Sequence, residues 1–315
     1  MSRAFVFPGQ GSQAVGMGKA LAEASAAARE VFQEVDDALG QKLSALMFEG
    51  PEDQLILTEN AQPAIMAASI AVLRVLEREG GVTLADKADY VAGHSLGEYS
   101  ALCAAGSLTL AQTARLLKLR GQAMQAAVPV GIGAMAALLG LDLEPAQAAA
   151  AEGAEGAEGE ICSTANDNAP GQVVISGHKA AVERAIEIAK TKGAKRGILL
   201  PVSAPFHCAL MQPAADAMAK ALADADLRAP FVPLVANITA APVASPDEIR
   251  RLLVEQVTGM VRWRESIAAM AGLGVDTFVE FGGKVLGPMI KRIEPDATPI
   301  SLVTMADIEA FAATL

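Results

Sequence analysis

The chain has 315 residues, of which 52% are hydrophobic and 19% are charged, and its 25 Lys and Arg against 36 Asp and Glu give a formal net charge of −11. This length and apolar share are enough to bury an ample core, and they exclude a disordered chain. The acidic balance argues against general nucleic-acid binding, because such proteins neutralise phosphates with clustered Lys and Arg.

A membrane span is not expected, although the charge-free run between Arg120 and Asp142 is long enough to cross a bilayer. Pro129, Gly131 and Gly133 interrupt that run, so it is better interpreted as a helix end, a turn and a new strand. The first residues, MSRAFVFPGQGSQ, lack the apolar stretch and the cleavage site of a signal peptide.

The three cysteines are odd in number and scattered, and none forms a C-x-x-C pair: Cys103, Cys162 and Cys208. We therefore expect a cytoplasmic protein in a reducing environment, with no disulfide framework and no zinc site.

Short apolar strands alternate with helices over the first 130 residues. Apolar runs at 4–7 and 90–92 each end at a glycine-containing loop, which is typical of buried strands. Helical patterns cover 19–39, 62–79, the stretch after Gly97, and 110–127. This alternation predicts an α/β sheet flanked by helices.

The order of elements changes between residues 131 and 200. We predict strands at 133–141, 160–165, 172–176 and 196–200, and helices at 145–152 and 180–192. The resulting β-α-β-β-α-β order is the ferredoxin-like signature, so 131–200 is predicted to be an inserted subdomain. The repetitive segment AEGAEGAEGE at 151–160 is interpreted as an acidic, solvated loop.

The larger subdomain, formed by 1–130, resumes over 201–315. Strands are predicted at 231–235 and 277–281, and helices at 209–225, 247–257 and 263–273, with a last helix at 285–293.

The segment Gly93-His94-Ser95-Leu96-Gly97 fits G-x-S-x-G, directly after a predicted strand and before a predicted helix. In such a nucleophile elbow the glycines relieve crowding, so that the serine hydroxyl projects from the sheet edge. The following helix supplies free N–H groups for a developing oxyanion. A glycine turn with an incidental serine is the alternative, and the strand–helix context makes it the weaker one.

A nucleophilic serine needs a base, and the chain has three histidines. His94 lies inside the elbow, where a structural role is the better interpretation. His178 lies in a turn before an exposed helix and is expected to be solvated. His207 lies in a proline-constrained loop after a strand, so it is the candidate general base, and an ordinary loop histidine is the alternative.

Two further features point to the same sheet edge. The loop from Pro8 to Gln13 follows the first strand and contains two glycines, but it lacks the lysine and the spacing of a phosphate-binding loop. Its backbone N–H groups are candidates for an oxyanion hole. Arg120 lies on a predicted helix beside Arg115 and Lys118, and composition alone gives it no special weight.

Together these segments resemble the malonyl-CoA:acyl carrier protein transacylases of bacterial type II fatty acid synthesis. The resemblance extends over essentially the whole chain and rests on FVFPGQGSQ (5–13), GHSLGEYSAL (93–102), KLRGQAMQ (118–125), GAMAALLGL (133–141), NAPGQVVISG (168–177), VSAPFHCALM (202–211) and EQVTGMVRW (255–263). It implies an α/β-hydrolase-like large subdomain with a ferredoxin-like (βαββαβ) insert. One departure is the turn at Gly282-Gly283, which is one residue shorter than the family's glycine-x-glycine turn and concerns the local loop rather than any catalytic position.

The resemblance also implies roles for single residues. Ser95 would be the acyl-accepting nucleophile, and His207 its general base and then acid. Arg120 would pair with the malonyl carboxylate, a task that suits the guanidinium fork better than a lysine. The backbone N–H groups of Gln10 and Leu96 would form the oxyanion hole.

Gln256 matches the family's glutamine near the histidine, in a region where a backbone carbonyl orients the imidazole. The implied reaction is ping-pong transfer of malonyl from malonyl-CoA to the phosphopantetheine thiol of holo acyl carrier protein, in support of fatty acid synthesis. We expect neither a metal nor a cofactor. We expect the protein to be a monomer.

Two rivals remain. A serine hydrolase of the α/β-hydrolase fold places its histidine near the C-terminus, and no histidine follows His207 here. A non-catalytic acyl-binding module would not need Ser95, His207 and Arg120 together.

The acidic chain would on average repel an acidic carrier protein, so docking requires local basic surface near the cleft. The candidates are Lys190, Lys192, Lys195, Arg196, Lys284, Lys291 and Arg292, although any one of them could equally be an ordinary solvated side chain.

Overall fold

A computed structural model describes residues 2–315, and its strands form two sheets. The larger sheet has the spatial order β10 (Thr298–Leu302), β9 (Val275–Phe281), β1 (Ser2–Phe7), β2 (Tyr90–Gly93), β7 (Leu234–Val235) and β8 (Pro242–Val243). Adjacent strands of this sheet pair in parallel, except β7 and β8, which are antiparallel to each other. The smaller sheet is antiparallel, with the order β4 (Cys162–Ala169), β5 (Gln172–His178), β3 (Gly133–Leu139) and β6 (Arg196–Leu199).

The helices surround both sheets. In chain order they are α1 (Lys19–Ala24), α2 (Ala26–Leu39), α3 (Leu43–Glu49), α4 (Glu52–Leu55), α5 (Thr58–Arg78), α6 (Leu84–Lys87), α7 (Gly97–Ala104), α8 (Leu110–Ala127), α9 (Leu143–Ala154), α10 (Lys179–Thr191), α11 (Gln212–Ala223), α12 (Pro246–Thr258), α13 (Trp263–Gly272), α14 (Leu286–Ile293) and α15 (Met305–Ala312). None of the helices in residues 2–315 combines the length and apolar composition that a bilayer span requires. The expected α/β class with a parallel sheet and a separate antiparallel sheet is confirmed.

Strand β1 is the centre of the large sheet, and its apolar run is buried on both faces, as interior parallel strands require. Phe5 and Phe7 pack against Phe281 of β9, with ring centroids 4.8 Å (tilted) and 5.6 Å (stacked) from the Phe281 centroid. Phe7 pairs with Gly93, so β1 and β2 end side by side. The loops that follow these two strands therefore lie at the same edge, where open α/β sheets bind ligands.

The smaller sheet packs in two directions. One face, with Leu138 and Ile175, forms a separate core with α9 and α10. The other face contributes Met135 and Val174 to the main core. All four strands lie between residues 133 and 199, and a separate sheet with its own helices is the basis for proposing 131–200 as an inserted subdomain.

Several predicted elements are shorter or divided. The helix predicted over 19–39 is interrupted at Ser25, whose extended backbone lets its hydroxyl accept the Ala28 N–H and cap α2. The helix predicted over 209–225 begins as a 3₁₀ turn, because Pro213 fits only in the first turn of α11. The strand predicted over 231–235 is reduced to β7, and Phe231 is 69% exposed.

Other elements were missed. The short helices α3, α4 and α6 are too brief to show a helical period, and β10 and α15 follow the helix that was expected to be last. The loop predicted at 151–160 is wrong for its first four residues, which complete α9.

The Gly282-Gly283 turn follows β9. Gly282 has a φ of 78°, and its N–H donates to the Leu302 carbonyl at 2.8 Å. The buried Glu280 carboxylate accepts the N–H groups at the start of α14: Val285, Leu286 and Gly287.

Candidate active site

The elbow between β2 and α7 is so tight that two positions require glycine. A Cβ on Gly93 would lie 1.8 Å from the Gly97 carbonyl carbon, and a Cβ on Gly97 would lie 2.3 Å from the Phe7 carbonyl oxygen. The turn therefore packs directly on the end of β1. Between the glycines, Ser95 has a φ of 54°, a left-handed conformation that costs a non-glycine residue about 1–3 kcal/mol.

Hydrogen bonds on both sides hold this strained serine. The Ser95 N–H donates to the Asn237 Oδ1 at 2.8 Å, and the Gln256 Nε2 donates to the Ser95 carbonyl at 2.9 Å. The Asn237 Nδ2 also donates to the Gly93 carbonyl at 2.7 Å. The serine backbone is thus fixed by residues from the β7–β8 region and from α12.

Ser95 and His207 are brought together from positions far apart in the chain. The Ser95 Oγ lies 2.7 Å from the His207 Nε2, and the His207 Nδ1 lies 2.8 Å from the Gln256 carbonyl and 3.1 Å from the Gly259 carbonyl. Because carbonyl oxygens only accept, Nδ1 carries the proton and Nε2 presents its lone pair to the serine hydroxyl. This is the tautomer that a general base needs.

Burial keeps this histidine neutral. Only 4% of His207 is exposed, and desolvation together with the positive charge of Arg120 lowers the pKa of its imidazole to about 3. Its backbone is also left-handed, with a φ of 58°. The base is therefore held unprotonated at neutral pH in a fixed orientation.

Arg120 is the buried cation of the site, with 1% of its surface exposed. Its Nη1 donates to the Gln62 Oε1 at 2.8 Å, and its Nη2 donates to the Gln256 Oε1 at 2.9 Å and the Ser95 Oγ at 3.2 Å. The guanidinium also lies 5.8 Å from the centre of the Tyr99 ring. Within residues 2–315 its Nε is buried without an acceptor. The Nη2 that faces the Ser95 Oγ is the donor that an anionic group beside the serine would meet.

The backbone N–H groups of Gln10 and Leu96 belong to the loops after β1 and β2. No protein acceptor in residues 2–315 bonds to either group. Gln10 is held by its side chain, whose Nε2 donates to the Thr58 Oγ1 at 3.3 Å.

A cavity of about 450 Å³ opens in front of these groups. Its polar wall includes Ser95, His207, Arg120 and Gln10, and its apolar wall is formed by Leu96, Met124, Met135, Leu200, Val202 and Phe206. The size and mixed lining are typical of a small-molecule site. Nowhere in residues 2–315 do three or more His, Cys, Asp or Glu side chains converge as ligands for a metal ion.

The two other histidines do not contact the serine hydroxyl. His94 is half-buried, its Nε2 lies 2.7 Å from the Asn168 Oδ1 of β4, and desolvation lowers its pKa. The prediction that His178 is solvated is wrong, because it is half-buried and its Nδ1 accepts the Ile161 N–H at 2.9 Å.

Sequence reasoning missed three polar side chains around the site: Gln62, Glu98 and Asn237. Glu98 directly follows the G-x-S-x-G segment, and Asn237 follows a strand end, which is a signal for a ligand-side position in an α/β sheet. Gln62 lies within a long buried helix and offers no such signal.

The arrangement supports covalent acyl transfer. A serine hydroxyl bonded to a neutral imidazole can attack a carbonyl carbon, and two free N–H groups beside it can bind the resulting oxyanion. A buried guanidinium within reach of the same hydroxyl favours an acyl group that ends in a carboxylate.

Comparison with known proteins points to the same chemistry. The family model described as "Acyl transferase domain" matches residues 4–283. The chain is 45% identical over 313 residues to the malonyl CoA-acyl carrier protein transacylase of Bacillus subtilis (strain 168), covering 99% of this chain and 96% of that protein. It is 49% identical over 300 residues to the protein of the same name from Escherichia coli (strain K12), covering 95% of each.

Solved structures resemble the fold over its full length. The crystal structure of an acyl-carrier-protein-S-malonyltransferase from Bartonella henselae has a TM-score of 0.96 and 55% identity, covering 100% of this chain and 99% of that one. A malonyl-transacylase in complex with its type II PKS acyl-carrier protein has a TM-score of 0.95 and 43% identity, covering 100% of both chains.

Proposed function

This chain belongs to the acyl transferase family and, within it, to the malonyl-CoA:acyl carrier protein transacylases, and from that premise we propose that Ser95 carries the malonyl group between donor and acceptor. The enzyme is an acyltransferase that moves malonyl from malonyl-CoA to the thiol of holo acyl carrier protein and so supplies fatty acid synthesis. The observation that carries the assignment to Ser95 is the 2.7 Å contact between its Oγ and the His207 Nε2.

The first half-reaction loads the enzyme. The His207 Nε2 takes the hydroxyl proton as the Ser95 Oγ attacks the thioester carbonyl carbon of malonyl-CoA. The tetrahedral oxyanion accepts the N–H groups of Gln10 and Leu96. The intermediate collapses by breaking the carbon–sulfur bond, and His207 returns the proton to the departing CoA sulfur.

The second half-reaction is the reverse with a new thiol. The phosphopantetheine thiol of acyl carrier protein gives its proton to the His207 Nε2 and attacks the malonyl-serine carbonyl. Breaking the ester bond returns the proton to the Ser95 Oγ and releases malonyl-acyl carrier protein. The imidazole stays oriented throughout, because its Nδ1–H donates to the carbonyls of Gln256 and Gly259.

Arg120 selects the acyl group. An incoming carboxylate accepts from the Arg120 Nη2 in place of the Ser95 Oγ, which leaves the hydroxyl free to attack. All these groups come from one chain, which is the basis for proposing that the monomer is the active form. Equilibrium sedimentation of the active protein tests this, and a dimer at assay concentration would contradict it.

Intact-mass analysis after incubation with malonyl-CoA tests the assignment. We expect the mass to rise by one malonyl group in the native protein and to stay unchanged in Ser95→Ala. Ser203→Ala is the matched control, because this second hydroxyl lies on the loop beside Val202 and is bonded to Gln125. Label that persists in Ser95→Ala, or is lost in Ser203→Ala, contradicts the proposed nucleophile.

A further inference from the structure

Glu98 is a buried carboxylate for which the proposed reaction has no role. It lies in the first turn of α7, three residues after the nucleophile, and 2% of it is exposed. No Lys, Arg or His nitrogen in residues 2–315 lies within 4.0 Å of its oxygens. A buried carboxylate without a contacting cation is costly, so its retention calls for a physical reason.

Both oxygens of Glu98 accept from groups that hold the site. Its Oε1 accepts the Asn237 N–H at 2.9 Å, and its Oε2 accepts the Gln256 Nε2. Two donors facing two oxygens suit an ionised carboxylate, which only accepts. Burial raises the pKa of Glu98 to about 7, against the opposing effect of these donors and of the Arg120 charge.

Gln256 connects this carboxylate to the guanidinium. Its Nε2 is surrounded by acceptors only, namely the Glu98 Oε2, the Ser95 carbonyl and the Asn237 Oδ1 at 3.3 Å. Because all three neighbours are acceptors, the Gln256 side-chain amide is oriented with its nitrogen toward them. Its Oε1 then faces the Arg120 Nη2 at 2.9 Å. A carboxylate, an amide and a guanidinium therefore lie in one hydrogen-bonded series.

The charges in this series are complementary. Arg120 is a buried cation whose side-chain acceptors, Gln62, Gln256 and Ser95, are all neutral. Tyr99, whose ring lies 5.8 Å from the guanidinium, and Glu98 both act on it electrostatically, and Glu98 is the carboxylate of the two, on the far side of Gln256. Amide dipoles between opposite charges strengthen each bond of such a series in a low-dielectric interior.

We propose that Glu98 is a positioning residue for the acyl carboxylate site: acting through the Gln256 amide, it fixes the orientation of the Arg120 guanidinium and balances its buried charge. The proposal rests on the proposed function, because it concerns how Arg120 receives the malonyl carboxylate. Glu98 thereby contributes to selection of carboxylated acyl groups without contacting them.

The test compares two acyl donors in the full-length protein. Loading of Ser95 is measured by quenched-flow intact mass with malonyl-CoA and with acetyl-CoA, which lacks the carboxylate. In Glu98→Gln we expect the ratio of kcat/KM for malonyl-CoA to that for acetyl-CoA to fall about tenfold, equivalent to about 1.4 kcal/mol. A purely structural role would lower both values equally and leave the ratio unchanged, and that result would overturn the proposal.

Glu280→Gln is the matched control, because Glu280 is another buried carboxylate that accepts backbone N–H groups, away from the cavity. We expect its ratio to equal the native one. In an Arg120→Ala background, Glu98→Gln should change the ratio no further, since the two residues act in series. A further tenfold fall there would also overturn the proposal.

If Glu98→Gln does not fold, Gln256→Met carries the test, because it removes the connecting amide and keeps the backbone carbonyl that orients His207. An unchanged ratio in that variant overturns the proposal. Failure of the native protein to load malonyl on Ser95 would refute the proposed function instead, so the two failures are distinguishable.

Discussion

At the residue scale, the site depends on two non-glycine residues whose backbones are in the left-handed conformation and whose side chains face each other. Ser95 and His207 have φ values of 54° and 58°, and each is held by hydrogen bonds from other segments. Such strain persists only where the surrounding structure over-determines it. Here the strain places the serine hydroxyl and the imidazole nitrogen 2.7 Å apart before substrate arrives.

The low pKa of His207 gives a pH prediction. Desolvation and Arg120 lower it to about 3, so the imidazole stays neutral, and competent as a base, until the pH falls through that value. In Glu98→Gln, loading of Ser95 by acetyl-CoA should therefore show no loss between pH 8 and about pH 5. An acid limb near the ordinary histidine pKa of about 6.5 in this variant would contradict the assignment.

The native protein has a second titrating group in this pH range, because the pKa of Glu98 is about 7. The pH profile of loading is therefore measured in both the native protein and Glu98→Gln. The charged and titratable groups that act on it are Arg120 from α8 and Tyr99 from its own helix. A limb near pH 7 that disappears in Glu98→Gln therefore belongs to Glu98.

Replacement of Arg120 tests the carboxylate site directly. Arg120→Ala should lower kcat/KM for malonyl-CoA about 10- to 100-fold, because a hydrogen bond to a charged group contributes about 1.5–3 kcal/mol. Loading by acetyl-CoA should be spared or improved. Arg115→Ala is the control on the same helix, since its exposed side chain donates to the Ala38 carbonyl. Equal losses with both donors would refute the role of Arg120.

At the element scale, helix boundaries and close approaches set the geometry of the site. A capping box at Thr109 and Gln112 fixes the start of α8, the helix that carries Arg120. The elbow packs on β1 through Gly97, which brings the Leu96 N–H to the same sheet edge as the Gln10 N–H. These two elements position the carboxylate site and the candidate oxyanion hole.

Gly97→Ala tests how tightly the elbow is packed. Its Cβ would meet the Phe7 carbonyl oxygen at 2.3 Å, and we expect a loss of about 1–3 kcal/mol in the free energy of unfolding. Gly272→Ala is the control at a helix end, where a Cβ would meet nothing within 4 Å. Denaturant unfolding measures both variants, and equal stabilities would contradict the packing argument.

At the scale of the whole molecule, the net charge of −11 makes the distribution of basic residues decisive for an acidic partner. Several of the candidate docking residues already form ion pairs with carboxylates of the same chain. Lys190 and Lys192 pair with Glu187 and Glu152 at 2.6 and 2.7 Å. In the described part of the chain, Lys195 and Arg196 have no carboxylate within 4.0 Å, and β6 leads from them to the cavity wall at Leu200.

We expect the double variant Lys195→Glu, Arg196→Glu to raise the KM for acyl carrier protein about 3- to 10-fold, because rim charges act mainly on association. Loading by malonyl-CoA should not change. Lys190→Glu, Lys192→Glu makes the same change of charge at residues that are already paired, and it should have a smaller effect. An unchanged KM in the first double variant would refute this docking surface.

Sequence patterns predicted most of the long elements, because burial periodicity is a local property. The helix over 110–127 matches α8 at both ends, and each of the four strands of the smaller sheet overlaps a segment that was predicted as a strand. The short helices α3, α4 and α6 were not predicted, and the strand at β7 was predicted too long, because packing rather than local sequence sets the lengths of such short elements. The burial of Arg120 was also invisible to composition, since a helical arginine is usually exposed.

By itself, the sequence determined the α/β class, the elbow at Ser95 and, through its resemblance to a family, the candidate nucleophile, base and carboxylate-binding arginine. Only the tertiary structure decided the tautomer of His207, the charge environment of Arg120 and the connection of Glu98 to both through Gln256. The reason is physical. Periodicity and turn chemistry act between neighbours in the chain, whereas hydrogen-bond direction and desolvation arise between residues that only folding brings together.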